Sequence, residues 1–204
     1  LNTLNLFAIE NSLLVSLAVI ILSLCVGSFL NVVIHRLPIM LNNEWTALSS
    51  EYLNIKVEPI TEPYNLIKPN STCPKCKSAI KPWHNIPVIS YLFLKGKCAT
   101  CKNPISIRYP LVEAATAILS FAVFYHFGFT PQFFCGLILC WCLIALTMID
   151  FDTQLLPDSI TIPLIWLGLL INIYEVFTPL ATSVLSAAGA YIFLWLFVRI
   201  FKII

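Results

Sequence analysis

The chain has 204 residues, of which 59% are apolar and only 11% carry a charge. Soluble domains carry about a quarter of their residues charged, so this composition excludes an ordinary water-soluble globular protein. The formal net charge is +2, and ten of the twelve lysines and arginines fall between Arg36 and Arg108. Such a stretch could bind nucleic acid, but the positive-inside bias of membrane proteins explains it more simply, and no nucleic-acid partner is expected.

The first predicted element is an uncharged run, Leu13 to Ile34. It is long enough to cross a bilayer, which takes roughly 17 to 25 residues. No basic segment precedes it and no small-residue cleavage site follows, so it reads as a retained helix rather than a signal peptide. From His35 to Asn70 the chain is polar, with Glu44, Glu51, Glu58 and Glu62 and with Pro38, Pro59, Pro63 and Pro69. One short helix around Glu44–Leu53 and otherwise extended chain are predicted there.

Residues 71–107 contain Cys73-Pro-Lys-Cys76 and Cys98-Ala-Thr-Cys101, with 21 residues between the pairs. Each C-x-x-C turn offers two sulfurs from one tight knuckle, and tetrahedral zinc takes four thiolates. Each knuckle is followed by Lys and, three residues later, by Ile. Lys75, Lys77, Lys97 and Lys102 would offset the charge of about −2 on a zinc tetrathiolate and favour the ligating thiolates. Two disulfides are the rival reading and need an oxidising compartment; a redox thiol pair is a third. His84 is a conceivable ligand, but four cysteines already complete a site. Cys25, Cys135, Cys140 and Cys142 lie in apolar runs and read as small packing residues.

Four further spans are predicted at Leu111–Phe127, Phe133–Ile149, Ile160–Phe177 and Leu180–Val198. The turns between them carry Pro131, Pro157 and Pro179, which predicts antiparallel neighbours. Placing the basic loop in the cytoplasm puts the N-terminus outside. Asp150–Asp158, and then Arg199 and Lys202, return to the cytoplasmic side. The expected fold is an all-α polytopic membrane protein with five transmembrane helices and a small cytoplasmic zinc-knuckle domain between helices 1 and 2. Its parts are a first helix over 1–34, a loop domain over 35–110, and a four-helix membrane domain over 111–204.

Acids beside membrane helices are costly and therefore informative. Asp158 suits the start of the following helix, and Asp152 reads as a solvated loop acid. Asp150 directly follows an uncharged run, at a helix C-terminus where the macrodipole disfavours negative charge. Partial desolvation there would also favour a retained proton, as in one member of an aspartyl pair that shares a proton and activates water. Asp150 and Asp152 would point apart on a helix, and Glu113 reads as a first-turn acid stabilised by the helix dipole.

Four stretches together resemble the type IV prepilin peptidases, or prepilin leader peptidase/N-methyltransferases. They are Gly27-Ser-Phe-Leu-Asn-Val-Val-Ile-His-Arg-Leu-Pro38, the Cys73–Cys101 module, Arg108-Tyr-Pro-Leu-Val-Glu113 and Ile149-Asp-Phe-Asp-Thr-Gln-Leu-Leu-Pro-Asp158. The resemblance implies a multi-pass aspartic endopeptidase of the bacterial inner membrane. It would cleave the leader of prepilins and pseudopilins after Gly, then N-methylate the new terminus with S-adenosylmethionine. Asp150 matches the family's first catalytic aspartate, and Cys73, Cys76, Cys98 and Cys101 match its zinc ligands. The second aspartate belongs to a G-x-G-D motif, and no two of Gly27, Gly96, Gly128, Gly136, Gly168 and Gly189 have that spacing. The expectation is a chain without its last helices, inactive as a protease alone. The alternative is a noncatalytic membrane scaffold whose zinc knuckle docks a partner.

Overall fold

The structure, a computed structural model, describes residues 12–55 and 63–202. Lys56, Glu58, Pro59 and Glu62 of the polar loop lie outside the described residues. Among the described residues the secondary structure is helical, with only two isolated β-bridges. The chain divides after Pro157 into two compact units.

The first unit begins with α1 (Ser12–Tyr52), a helix of 41 residues. At 1.5 Å per residue it is about 60 Å long, twice the thickness of a bilayer's hydrocarbon core. The sequence suggested an end at Ile34 and a separate short helix near Glu44–Leu53; instead the helix runs unbroken through Pro38. A proline inside a helix costs about 3 kcal/mol, chiefly one hydrogen bond and a ring clash. Good helix formers follow it (Met40, Leu41, Glu44, Ala47, Leu48), so continuing the helix avoids a second costly nucleation. Thr46 and Ser50 donate back to the carbonyls of Asn42 and Ala47 rather than ending the helix.

A short helix, α2 (Ile89–Phe93), lies between the two cysteine pairs, after a 3-10 turn at Pro82–Asn85. Two long apolar helices follow, α3 (Arg108–Phe127) and α4 (Pro131–Thr153). Pro131 stands in the first turn of α4, where its missing N–H costs nothing.

Helices α1, α3 and α4 run up, down and up. Toward the end carrying Arg108, Leu30 and Ile34 of α1 pack with Val112 of α3 and with Ala145 and Ile149 of α4. At the other end Val19 packs with Phe133 and Leu137, flanked by Val123, Phe124 and Phe127. Lipid tails are as apolar as leucine, so such helices associate through close packing and hydrogen bonds rather than hydrophobicity. Gly27 supplies the close approach: a Cβ built there would lie 2.7 Å from Glu113 Cα and 3.1 Å from Thr116 Cβ. Asn31 Nδ2 donates to the Tyr109 carbonyl at 3.1 Å, and Trp141 Nε1 donates to Ser120 Oγ at 2.9 Å. The expectation that all four cysteines outside the knuckles are packing residues fails for Cys25, which faces outward.

The second unit holds α5 (Asp158–Ile171), a 3-10 turn at Asn172–Tyr174, and α6 (Leu180–Phe201). Buried Asn172 shapes the connection: its Oδ1 accepts from Phe177 N–H at 3.0 Å and its Nδ2 donates to Ser183 Oγ at 2.9 Å. That turn stops α5 after 14 residues, short of the predicted Ile160–Phe177 span. Among the described residues four helices are long and apolar enough to cross a membrane, α1, α3, α4 and α6, and α5 is a shorter apolar helix. The protein is thus an all-α polytopic membrane protein.

Candidate metal centre and membrane-face carboxylates

The two knuckles are built alike. In the first, Cys73 N–H donates to the Ser78 carbonyl at 3.0 Å, Lys77 N–H to Cys73 at 2.9 Å, and Ile80 N–H to Ser71 at 2.9 Å. In the second, Cys98 donates to Asn103 at 2.8 Å, Lys102 to Cys98 at 3.0 Å, and Ile105 to Gly96 at 2.7 Å. Lys77 and Lys102 both take the left-handed conformation, at φ 58° and 60°, to turn the chain after the second cysteine of each pair. Thr72–Ala79 and Lys97–Pro104 bridges close the two turns. The Lys and Ile repeat in the sequence is therefore a structural duplication.

All eight cysteines are free, and the four knuckle sulfurs lie within 4.8 Å of one another. Zinc at about 2.3 Å from four sulfurs would set neighbouring sulfurs about 3.8 Å apart. Cys73 Sγ and Cys101 Sγ stand 3.8 Å apart, so the donor set fits a tetrahedral ion. His84 stands outside the cluster, with its ring edge-on to Trp83.

Ser78 holds the Cys76 thiol down at about 6, through its hydroxyl first and its backbone amide second. The amides of Cys101 and Thr100 lower Cys98 in the same way. Cys101 goes the other way, to about 11: the Asn103 amide favours its thiolate, but desolvation and the sulfurs of Cys76, Cys98 and Cys73 override it. Four sulfurs this close cannot all ionise unaided; a divalent cation held by them would supply the charge that lets them.

The acids gather near the Arg108 end of the bundle. Asp150 is exposed in the last turn of α4, and its carbonyl accepts from Gln154 N–H at 2.8 Å where that residue turns left-handed. Asp152 is exposed, as a solvated acid would be, but it lies in the last turn of α4 rather than in a loop, and both its oxygens meet the Arg108 guanidinium at 2.6 Å. Arg108 also reaches the Met148 carbonyl at 3.4 Å, so it ties the start of α3 to the end of α4 beside Asp150. The bond forms because the helices are antiparallel neighbours, and no local pattern announces it.

Glu113 also departs from expectation. It is the sixth residue of α3, not a first-turn acid, and it is buried. Its Oε2 accepts from Val88 N–H at 2.7 Å, and Ser28 hydrogen-bonds the same carboxylate. Val88 has φ 57° and ψ −48°, an outlier for a β-branched residue that the surrounding contacts must hold. Arg36, buried near the middle of α1, donates to the carbonyls of Asn65 at 2.8 Å and Pro69 at 2.6 Å, which fixes the segment leading into the first knuckle. Arg36 and Arg108 stand in two of the motif stretches, but the sequence does not show what either binds.

Comparison with known proteins agrees with this architecture. Residues 21–127 match the bacterial peptidase A24 N-terminal domain, and residues 137–203 match the type IV leader peptidase family. A prepilin leader peptidase/N-methyltransferase of Stutzerimonas stutzeri is 48% identical over 198 residues, covering 97% of this chain and 68% of the relative. Those of Pseudomonas aeruginosa and Neisseria gonorrhoeae are each 50% identical over 188 residues, covering 92% and 90% of this chain and 65% of each relative. The chain belongs to the type IV leader peptidase family. It spans about two thirds of the length of these relatives. No solved structure matches it.

Proposed function

We propose that this chain forms part of an inner-membrane prepilin peptidase and N-methyltransferase. As an aspartic endopeptidase it would cleave the leader of type IV prepilins or pseudopilins after Gly at the cytoplasmic face, with the tetracysteine module on that side. The observation that carries this reading is the position of Asp150, exposed at the end of α4 and two residues from an acid already committed to Arg108. With Asp152 held by Arg108, Asp150 is the carboxylate at the end of α4 left to hold or accept a proton from an attacking water. The Arg108–Asp152 pair and the Arg108–Met148 bond would fix the turn of α4 that carries it. The second carboxylate that such chemistry requires is not assigned to a residue of this chain.

Cys73, Cys76, Cys98 and Cys101 would hold zinc in a structural role, since four thiolates leave no open position for water. S-adenosylmethionine would supply the methyl group for N-methylation. That half of the reading rests on the relatives' names, and no residue of this chain is assigned to the donor.

The test is Asp150→Asn beside Asp152→Asn in the full-length protein, assayed on a prepilin in detergent. Asp150→Asn should abolish leader cleavage while metal content and membrane insertion persist; Asp152→Asn should weaken cleavage without abolishing it. Cleavage by Asp150→Asn at the parent rate would remove Asp150 from the mechanism, whereas no cleavage by the parent protein would favour a scaffold role.

A further inference from the structure

Between the knuckles the chain presents apolar side chains left exposed among the described residues. Trp83, Ile86 and Ile89 are about half exposed or more, while Leu92 is 67% and Phe93 83% exposed. Trp83 sits on the 3-10 turn, Ile86 directly follows it, and the other three lie on α2. A loop free in water gains nothing by holding a tryptophan and a phenylalanine there.

The depth of the segment follows from one bond. Val88 N–H is anchored on Glu113, which lies five residues along α3 from Arg108. Five residues of helix rise about 7.5 Å, and helical side chains lean back toward the N-terminus. Measured along the axis of α3, Val88 is therefore offset from Arg108 by no more than about 8 Å, and the headgroup layer on each side of a bilayer is about 5 to 8 Å thick.

Charge points the same way. Between Pro63 and Val112 there are eight lysines and arginines and no acid. Lys81 and Lys95 flank the apolar residues and are exposed, with Lys81 Nζ 5.4 Å from the centre of the Trp83 ring. An indole, apolar residues and lysines on one short segment are the composition of an interfacial anchor. The positive-inside bias explains basic residues near helix ends, but not the exposure of Leu92 and Phe93.

We propose that residues 81–95 lie in the headgroup layer of the bilayer that the helices span. The apolar side chains face the acyl chains, and Lys81 and Lys95 meet the phosphates of anionic lipids. This fastens the metal module to the membrane at a point between its two knuckles. It rests on the membrane embedding of the helices and not on the peptidase reading.

The test uses the chain reconstituted into phosphatidylcholine vesicles with and without phosphatidylglycerol. Trp83 emission is isolated as the difference between the parent and Trp83→Phe. Lipids brominated near the top of the acyl chain should quench that component by roughly half or more, as for an indole at the interface. Aqueous iodide should quench it less when phosphatidylglycerol is present. Leu92→Ser with Phe93→Ser should reduce the bromolipid quenching, and Lys81→Gln with Lys95→Gln should remove the dependence on phosphatidylglycerol. Free quenching by iodide with none by bromolipid overturns the proposal. Shielding from both quenchers also overturns it, because protein rather than lipid would then cover the segment.

Discussion

Gly27→Ala tests the helix contact on which the whole site rests. The added methyl would stand 2.7 Å from Glu113 Cα, against about 3.5 to 4.0 Å for ordinary carbon contacts. Backbone cannot rotate aside as a side chain can, so α1 and α3 must separate by about 1 Å. The Asn31–Tyr109 bond, already 3.1 Å, lies one turn away and would lengthen past useful range. Overpacking costs about 1–3 kcal/mol and the lost bond about 1 kcal/mol. Alanine's better helix propensity returns about 1 kcal/mol, which leaves a net loss of about 1–3 kcal/mol. In detergent the melting midpoint should fall by about 2–12 °C, at roughly 2–4 °C per kcal/mol for a chain of this size. Gly168→Ala and Gly189→Ala, whose new methyls meet nothing within 4 Å, should melt at or above the parent. If Gly27→Ala behaves like those two controls, the close approach of α1 and α3 is wrong.

Other substitutions probe the remaining parts of the site. Glu113→Ala should cost about 1–3 kcal/mol by leaving the Val88 amide unpaired, whereas Glu113→Gln, which keeps an acceptor, should recover most of that loss in the same melting assay. Arg108→Ala should cost only about 0.2–1 kcal/mol, because the pair with Asp152 is about a third exposed. A larger loss would mean that the pair is desolvated by lipid. Cys73→Ser, or a strong chelator, should release one equivalent of bound metal by elemental analysis and expose residues 71–107 to protease. Helical content by circular dichroism should barely change, since α1, α3, α4 and α6 lie outside the knuckles.

Much of this protein was legible without coordinates because the strongest signals are local. Long uncharged runs specify membrane helices, since a spanning backbone must satisfy its own hydrogen bonds. Paired C-x-x-C turns specify a four-sulfur cluster because each turn sets its own two donors, and the sulfurs duly converge within 4.8 Å. The same locality explains the misreadings. The end of the uncharged run at Ile34 looked like the end of the first helix, but helix continuity is cooperative and carries it through Pro38 to Tyr52. The span expected at Ile160–Phe177 is shortened by a side chain, Asn172, that accepts a hydrogen bond from an amide five residues on.

Tertiary structure decided what depends on partners distant in sequence. Asp152 and Glu113 looked like ordinary acids until folding set Arg108 against one and the Val88 amide against the other. Gly27 could be recognised as part of a motif, but its purpose is visible only where Glu113 and Thr116 press against it. A chain's own pattern reports periodicity, turn chemistry and ligand spacing. It does not report which helix faces meet, and the role of an ionisable group is set by what it meets.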